Sequence, residues 1–204
     1  MPKETDCKIT GIILAAGGST RIGHVKQLLA FGETTLLGQV IENVLGSSLD
    51  DVVVVLGHEA QEIQEAVRLD QVTVVMNEAH AQGQSTSLRV GLSAAASDTD
   101  AVMFILGDQP LVGAEVMNAL IAGYACTRAP IVLPTYQGRR GNPVVIDRLL
   151  FPQIESLTGD VGARVLFSEY ADAIVEVEIE DDSIHLDLDT WEDYRELKRR
   201  EDGK

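Results

Sequence analysis

Short apolar runs alternate with segments of helical periodicity along most of this 204-residue chain. Each run is too short to form the core of a helix, and continuous apolar runs are typical of strands that are buried on both faces. The segments between the runs have the pattern of helices. The runs fall at residues 12–16, 52–56, 72–76, 102–106 and 131–133, and the predicted helices at residues 36–45, 60–67, 87–96 and 114–125.

The order of these elements predicts the fold. Strands that alternate with helices form βαβ units and therefore a mostly parallel sheet. After residue 141 the alternation loosens, and we expect a further strand at residues 144–146, another at about 174–179, and a closing helix from Trp191. We therefore predict one α/β domain over residues 1–204, doubly wound and Rossmann-like, with helices on both faces. Ligands of such sheets bind beyond the carboxyl ends of the strands.

The residues after the first run form a loop that is suited to phosphate groups. Gly17 and Gly18 can adopt positive φ and leave backbone N–H groups uncovered, while Arg21 and Lys26 bring positive charge to the same place. The loop is neither a Walker A loop, which needs Lys-Ser/Thr after its last glycine, nor a dinucleotide-binding loop, which needs G-x-G-x-x-G. An ordinary glycine-rich turn between a strand and a helix is the alternative interpretation.

Two later segments also follow apolar runs. Gly83 precedes small hydroxyl residues, among them Ser87, near the start of a predicted helix, so that N–H groups, the helix dipole and hydroxyl groups would meet at one point. A plain N-cap is the competing interpretation, since Ser and Thr cap helices routinely. Asp108 lies just beyond the fourth run, where a carboxylate could hold Mg²⁺ against a triphosphate. A turn aspartate is the alternative there.

The last third of the chain carries a basic cluster and an acidic pair. Arg139, Arg140 and Arg164 lie in two glycine-rich loops, where an anionic acceptor could dock. Two solvated loops would explain these residues equally well. Near the end, Asp187 and Asp189 would share a face if their segment were a strand. A cap on the last helix would also account for this pair.

The charge balance restricts the partners of the chain. The 32 acidic and 16 basic residues give a net charge of −16, which would repel nucleic acid and anionic membranes, so we expect neither as a partner. Cys7 and Cys126 indicate neither a disulfide framework nor a metal cluster, and we expect a reducing cytoplasm. The apolar runs are well short of the roughly 18 residues that a membrane span requires.

The pattern L-A-A-G-x-S-x-R-x-G-x-x-K, formed by residues 14–26, resembles the signature loop of MobA-like nucleotidyltransferases. Within them the chain looks most like the molybdenum cofactor cytidylyltransferases. Trp191 stands where that group has Pro, and Gln84 replaces an apolar residue that often follows the glycine. Further segments match in the same order: G-x-x-x-S-L-x-x-G at residues 83–91, Gly-Asp-Gln-Pro at 107–110, the two glycine-rich loops, and Asp-x-Asp-Thr at 187–190.

The resemblance implies transfer of a nucleoside monophosphate from a triphosphate to a phosphorylated acceptor, with release of pyrophosphate. For the cytidylyltransferase group it implies CTP as donor, a molybdenum-carrying molybdopterin as the pterin acceptor, and Mg²⁺ or alternatively Mn²⁺ as cofactor. A molybdoenzyme apoprotein would be a further partner. The alternatives are a relative that uses GTP or another phosphorylated acceptor, and a non-catalytic protein that delivers the finished cofactor.

The resemblance also implies roles for individual residues. The nucleotide would bind to about residues 8–110 and the acceptor to about residues 111–204. Arg21, Lys26 and Asp108 would be catalytic, and Asp108 and Asp189 would hold the metal ion. The residues implied to bind the nucleotide are Leu14, Ala15, Ala16, Gly17, Gly18, Ser19, Arg21, Lys26, Asn77, Gly83 and Ser87. Those implied to bind the acceptor are Arg139, Arg140, Gly141, Asn142, Gly159, Asp160 and Arg164.

Overall fold

The computed structural model describes residues 7–18, 22–180 and 182–202. Within these ranges the strands are β1 Ile9–Ala15, β2 Ala30–Phe31, β3 Thr34–Thr35, β4 Asp51–Leu56, β5 Thr73–Met76, β6 Ala101–Leu106, β7 Ile131–Tyr136, β8 Arg139–Arg140, β9 Val144–Asp147 and β10 Ile174–Glu178. The helices are α1 Leu36–Leu45, α2 Ala60–Ala66, α3 Gln84–Ala94, α4 Ala114–Thr127, α5 Phe151–Ser156 and α6 Trp191–Asp202. Among the described residues, no helix combines the length and apolar character needed to cross a bilayer.

The main sheet has the strand order β10-β7-β9-β6-β1-β4-β5, with the short strand β8 paired to β7. Strand β1 lies inside the sheet and pairs in parallel with both β4 and β6. Strand β9 runs antiparallel to β6 and β7, and β8 runs antiparallel to β7. The prediction of a mostly parallel α/β sheet in one domain is confirmed. Parallel neighbours end at the same edge, so the loops after β1, β4, β5 and β6 lie together.

Helices cover both faces of the sheet, as the sequence predicts. Helices α1, α2 and α4 pack on one face in a cluster that includes Ile13 and Leu120. Helices α3 and α5 pack on the other face in a cluster that includes Ile12 and Leu88. The neighbours Ile12 and Ile13 belong to opposite faces because side chains alternate along a strand. Burial of each such side chain contributes about 1.5–3 kcal/mol to folding.

Some elements differ from the sequence prediction for identifiable reasons. Helix α3 begins at Gln84 instead of residue 87, because its polar first turn is hydrogen-bonded inside the protein. The apolar run at 72–76 predicts a strand buried on both faces, but β5 is the edge strand and exposes Met76. The segment of Asp187 and Asp189 is not a strand, although Leu188 between them is buried.

The C-terminal helix α6 packs on the segment that follows β1. Ile22 and Phe31 from that segment form a separate apolar cluster with Leu188 and with Leu197 of α6. The cluster joins two parts of the chain that are far apart in sequence. It thereby places residues 22–31 next to the segment that precedes α6.

Candidate functional site

Two adjoining cavities open at the carboxyl edge of the sheet. The first has a volume of about 540 Å³ and lies where β1 and β6 end. The second, of about 250 Å³, shares Leu14, Gln84 and Leu106 with the first and extends to β9. The structure thus brings most of the residues predicted to bind nucleotide and metal to one cavity. The first cavity is lined by Leu14, Ala15, Ala16, Gly17, Lys26, Gln27, His80, Gly83, Gln84, Ser87, Leu106, Gly107, Asp108, Asp160 and Asp189.

The loop after β1 forms one wall of the first cavity. Neither Gly17 nor Gly18 has positive φ, which corrects that expectation. In the described part of the loop, the left-handed conformation occurs at Gly23 instead (φ 72°). A Cβ at Gly17 would meet no atom within 4 Å, so this glycine leaves open space beside the backbone. The buried side chain of Gln27 fixes the loop, since its Nε2 donates to the carbonyl oxygens of Ala15 (3.1 Å) and Gly17 (3.2 Å).

Lys26 connects the two aspartates that the sequence predicts as metal ligands. Its Nζ lies 2.5 Å from Oδ2 of Asp108 and 3.9 Å from Oδ1 of Asp189. The same ammonium group donates a hydrogen bond to the carbonyl oxygen of Leu188 (3.0 Å). Lys26 is 82 residues from Asp108 and 162 residues from Leu188, so only the fold brings these groups together.

Asp108 occupies a desolvated position beside β1. Burial raises the pKa of its carboxyl group, Lys26 opposes this shift, and Asp187 and Asp189 add to it through their negative charges. A Cβ at the preceding Gly107 would lie 2.9 Å from a carbonyl oxygen of β1, so glycine is required for this close approach. A cation beside Asp108 therefore stabilises the ionised carboxylate, as Lys26 does in this structure.

The donor set at this position suits a hard divalent cation. Mg²⁺ and Mn²⁺ prefer carboxylate oxygens, and Asp108 and Asp189 both approach the position of one ammonium nitrogen. In the described ranges, no group of three or more His, Cys, Asp or Glu side chains forms a metal site. A cation held by two carboxylates would keep positions open for phosphate oxygens and water, which is usual for Mg²⁺ in nucleotide enzymes.

The first turn of α3 is held from behind by a buried amide. Nδ2 of Asn77 donates to the hydroxyl oxygens of Thr86 (2.8 Å) and Ser87 (2.9 Å). Ser87 lines the first cavity, whereas Asn77 does not. Asn77 therefore orients Ser87 toward the cavity, and direct contact between Asn77 and a nucleotide stays a prediction.

A loop from the predicted acceptor half caps the same helix. The N-cap residue is Gly83 (φ 110°), which has no side chain to serve as a cap. Instead, the carboxylate of Asp160 accepts a hydrogen bond from the backbone N–H of Gln84 (3.1 Å), and the carbonyl of Gly159 accepts one from the hydroxyl of Ser85 (2.7 Å). The two predicted halves of the protein are therefore joined directly at the wall of the first cavity.

The second cavity contains only part of the predicted basic cluster. Asn142 and Arg164 line it, together with an apolar floor. Arg139 and Arg140 line neither cavity, because β8 directs Nε of Arg140 toward Glu176 of β10 (2.7 Å). The three arginines thus do not share one site, and acceptor binding by Arg139 and Arg140 stays a prediction. The apolar floor consists of Leu14, Leu88, Phe104, Leu106, Val144 and Ala163.

No contact with either cavity is established for three other predicted site residues. Ser19 and Arg21 are outside the described residues, so their roles stay predictions. Gly141 is buried, and a Cβ there would lie 2.7 Å from Ile184. Packing against Ile184 therefore explains this glycine without a bound acceptor.

Sequence reasoning gave no binding role to two residues that line or shape the cavities, Gln27 and Gln84, and left a third, Asp187, as the second choice after Asp189 for the metal ion. Gln27 follows Lys26 directly, but nothing in the sequence indicates that it is buried and bonded to the loop. Gln84 lines both cavities, and its departure from the family pattern was the available signal. Asp187, a weaker metal candidate by sequence, lines the second cavity instead.

Comparison with known proteins identifies the family. Residues 11–174 match the model of the MobA-like NTP transferase domain. The chain is 32% identical to nicotine blue oxidoreductase of Paenarthrobacter nicotinovorans, over 93% of this chain and 96% of that protein. It is 27% identical to molybdenum cofactor cytidylyltransferase of Escherichia coli, over 93% and 95% of the two chains.

A solved structure extends the comparison to three dimensions. The crystal structure of Rv0371c from Mycobacterium tuberculosis in complex with manganese superimposes with a TM-score of 0.83 at 31% identity, covering 94% of this chain and 98% of that one. A member of this fold thus binds a divalent metal, in agreement with the carboxylate donors found here. The chain belongs to the family of MobA-like NTP transferase domains and is a nucleotidyltransferase.

Proposed function

We propose that the protein is a Mg²⁺-dependent cytidylyltransferase of the cytoplasm, which transfers CMP from CTP to a molybdenum-carrying molybdopterin. The observation that carries this proposal is the position of Lys26, whose ammonium group lies beside the carboxylates of Asp108 and Asp189 and next to the glycine loop. Nucleotidyl transfer needs a cation, metal-binding carboxylates and uncovered backbone N–H groups within reach of one triphosphate. This cavity supplies all three kinds of group.

The proposed reaction depends on positioning and charge neutralisation. A phosphate oxygen of the acceptor attacks the α-phosphorus of CTP, the bond from that phosphorus to the oxygen of the β-phosphate breaks, and pyrophosphate leaves with the electron pair. The acceptor phosphate is already an anion at neutral pH, so no strong base is required. Lys26 would neutralise charge on the leaving group, and the backbone N–H groups of residues 16–18 would orient the triphosphate.

The metal ion would be held by Asp108 and Asp189. A bound Mg²⁺ supplies Lewis-acid stabilisation of the phosphoryl oxygens. The ammonium group of Lys26 lies beside the same two carboxylates and reduces the repulsion between their negative charges.

We assign the first cavity to the nucleotide and the second to the acceptor. Residues from the first 110 positions supply most of the first lining, while residues 142–164 contribute only to the second cavity, apart from Asp160. The two cavities share Leu14, Gln84 and Leu106 at their junction, next to Asp108. This arrangement supports an attack of the acceptor phosphate on the donor at that junction.

The lining of the second cavity supports a flat, polar ring as acceptor. Phe104 and Leu88 offer an apolar surface, and Asn142 and Asp187 can form hydrogen bonds with the edge of a ring. Arg164 supplies a cation for an attached phosphate. A pterin has these features, and the similarity to the molybdenum cofactor cytidylyltransferase of Escherichia coli supports the same class of acceptor.

An oxidoreductase is a second candidate, because the relative named nicotine blue oxidoreductase is 32% identical to this chain. A nicotinamide dinucleotide would be the expected hydride donor, but the chain lacks the G-x-G-x-x-G spacing that binds its pyrophosphate. The contact of Lys26 with two carboxylates is also more typical of phosphate transfer. We therefore favour nucleotidyl transfer.

The decisive experiment measures pyrophosphate release with Mg²⁺ and each of the four ribonucleoside triphosphates, with and without molybdopterin. We expect release that depends on both CTP and molybdopterin. A preference for GTP, or release with another phosphorylated acceptor only, would indicate a related transferase. Tight CTP binding without pyrophosphate would favour a delivery protein. Reduction of nicotine blue by NADH without pyrophosphate release would establish the oxidoreductase.

A further inference from the structure

We propose that Trp191 and Tyr194 of α6 are positioning residues, which clamp the segment that carries Lys26 against the segment that carries Asp189. This inference rests on the proposed function, because it concerns the geometry of the same site. It assigns a role to Trp191, one of the residues that depart from the sequence pattern of the molybdenum cofactor cytidylyltransferases.

The clamp contacts the segment 24–30 at both ends. The ring of Trp191 lies edge-to-face on His24, with ring centroids 5.8 Å apart and an angle of 76°. It also lies edge-to-face on Tyr194 at 5.7 Å. The hydroxyl of Tyr194 donates to the carbonyl oxygen of Ala30 (2.6 Å). Two connected aromatic residues of one helix thus hold both ends of the segment that includes Lys26.

A second set of bonds fixes the other side of the clamp. Lys26, in the middle of the held segment, donates to the carbonyl oxygen of Leu188 (3.0 Å). Asp193 accepts hydrogen bonds from the backbone N–H groups of Thr190 (2.7 Å) and Asp189 (3.2 Å), while the Thr190 hydroxyl accepts one from the N–H of Asp193. This capping box fixes the start of α6, and with it the position of Asp189.

The indole of Trp191 lies at the surface and is not part of the apolar cluster that Tyr194 packs against. Trp191 is 39% exposed and His24 is exposed, whereas Ile22, Leu188 and Leu197 beneath them are buried. Loss of the indole therefore leaves the apolar cluster in place. An edge-to-face pair contributes about 0.5–1.5 kcal/mol, so loss of positioning should reduce turnover by about 2- to 13-fold.

The test compares Trp191→Ala, Trp191→Phe and Tyr194→Phe with the wild-type protein. Leu149→Ala, which truncates another exposed apolar side chain that lines neither cavity, is the matched control. We expect Trp191→Ala and Tyr194→Phe to lower kcat for pyrophosphate release while KM for CTP changes less than about twofold. Trp191→Phe should restore kcat, because a phenyl ring can make the same contact. Leu149→Ala should behave as the wild type.

Two readouts do not depend on turnover. Trp191 is the only tryptophan of the chain, so the emission of the full-length protein should shift in His24→Ala. Amide hydrogen exchange in residues 24–30 should be faster in Trp191→Ala than in Leu149→Ala. Unchanged emission in His24→Ala together with unchanged exchange in Trp191→Ala would contradict the proposed role of Trp191 and Tyr194.

The outcomes distinguish failure of the clamp from failure of the proposed function. If the wild type releases pyrophosphate and Trp191→Ala has the same kcat, the clamp is wrong and the function stands. If no triphosphate supports release by the wild type, the proposed function is wrong, and emission and exchange alone decide whether α6 holds the segment of Lys26.

Discussion

Substitution of Gly83 by alanine is predicted to separate the loop at Gly159 from the first turn of α3. Gly83 has φ 110° and ψ 167°, a backbone conformation that is essentially restricted to glycine. A Cβ at this position would lie 2.5 Å from the backbone N of Asp160 and from the carbonyl group of Gly159. The crowded atoms belong to the backbone, so no side-chain rotation can relieve the contact. The loop itself has to move.

The cost can be estimated from the interactions that would be lost. Backbone strain at such a position costs about 1–3 kcal/mol. Movement of the loop would also break the hydrogen bonds from the Gln84 N–H to Asp160 and from the Ser85 hydroxyl to Gly159, each worth about 0.5–1.5 kcal/mol. The sum is a loss of about 2–6 kcal/mol in the free energy of unfolding. We expect the lower half of this range, because the loop is exposed and can move.

Urea unfolding measures this loss, and Gly138→Ala is the matched control. Gly138 also has positive φ (73°), but a Cβ there would meet no atom within 4 Å, so only backbone strain of about 1–2 kcal/mol applies. Gly83→Ala should be the more destabilising variant and should raise KM for both CTP and the acceptor. Equal losses of stability in the two variants would show that the loop does not contact α3, and would refute the reasoning.

Three further predictions concern other parts of the site and its support. Arg164→Ala should raise KM for the acceptor at least severalfold in the steady-state assay, whereas Arg68→Ala, at an exposed arginine that lines neither cavity, should leave it unchanged. Gln27→Leu should lower the unfolding free energy by about 1–3 kcal/mol and weaken CTP binding in calorimetric titration, because two carbonyl groups of the loop lose their donor. The Arg200 guanidinium holds the pKa of Asp182 below its ordinary value, so this pair stabilises the fold at neutral pH and the contribution is lost as the pH falls through that lowered pKa. Asp182→Asn should therefore lower Tm at pH 7, and the difference from the wild type should shrink as the pH falls into the acid range in which the wild-type carboxylate is protonated.

The sequence was sufficient to predict the sheet and the residues at the strand ends. Apolar runs locate buried strands, and the rule that ligands bind at the carboxyl ends of parallel strands selects Asp108 and the loop after β1. Asp189 was different, because an acidic pair before a helix is explained equally well by capping. Only the resemblance to the family indicated a metal-binding role for Asp189, and in the structure its Oδ1 lies 3.9 Å from Nζ of Lys26.

The positions that these side chains take in the structure depend on contacts between distant parts of the chain, which the sequence does not show. The bond between Asp160 and Gln84 joins positions 76 residues apart, so local pattern gives no sign that the loop at Gly159 caps α3. Asn77 follows a strand, as a binding residue would, but it points into the protein and supports Ser87. The positions of Arg139 and Arg140 depend on the pairing of β8 with β7. Pairing of this kind is a property of the tertiary fold.

The central claim is that Asp108 belongs to a metal-dependent nucleotidyl-transfer site. The most direct measurement is pyrophosphate release from CTP by Asp108→Asn in the presence of Mg²⁺ and molybdopterin, with Asp70→Asn, an exposed carboxylate that lines neither cavity, as control. We predict turnover at least about 10²–10³ lower in Asp108→Asn, at unchanged secondary structure, and wild-type turnover in the control. Wild-type turnover in Asp108→Asn would contradict the account.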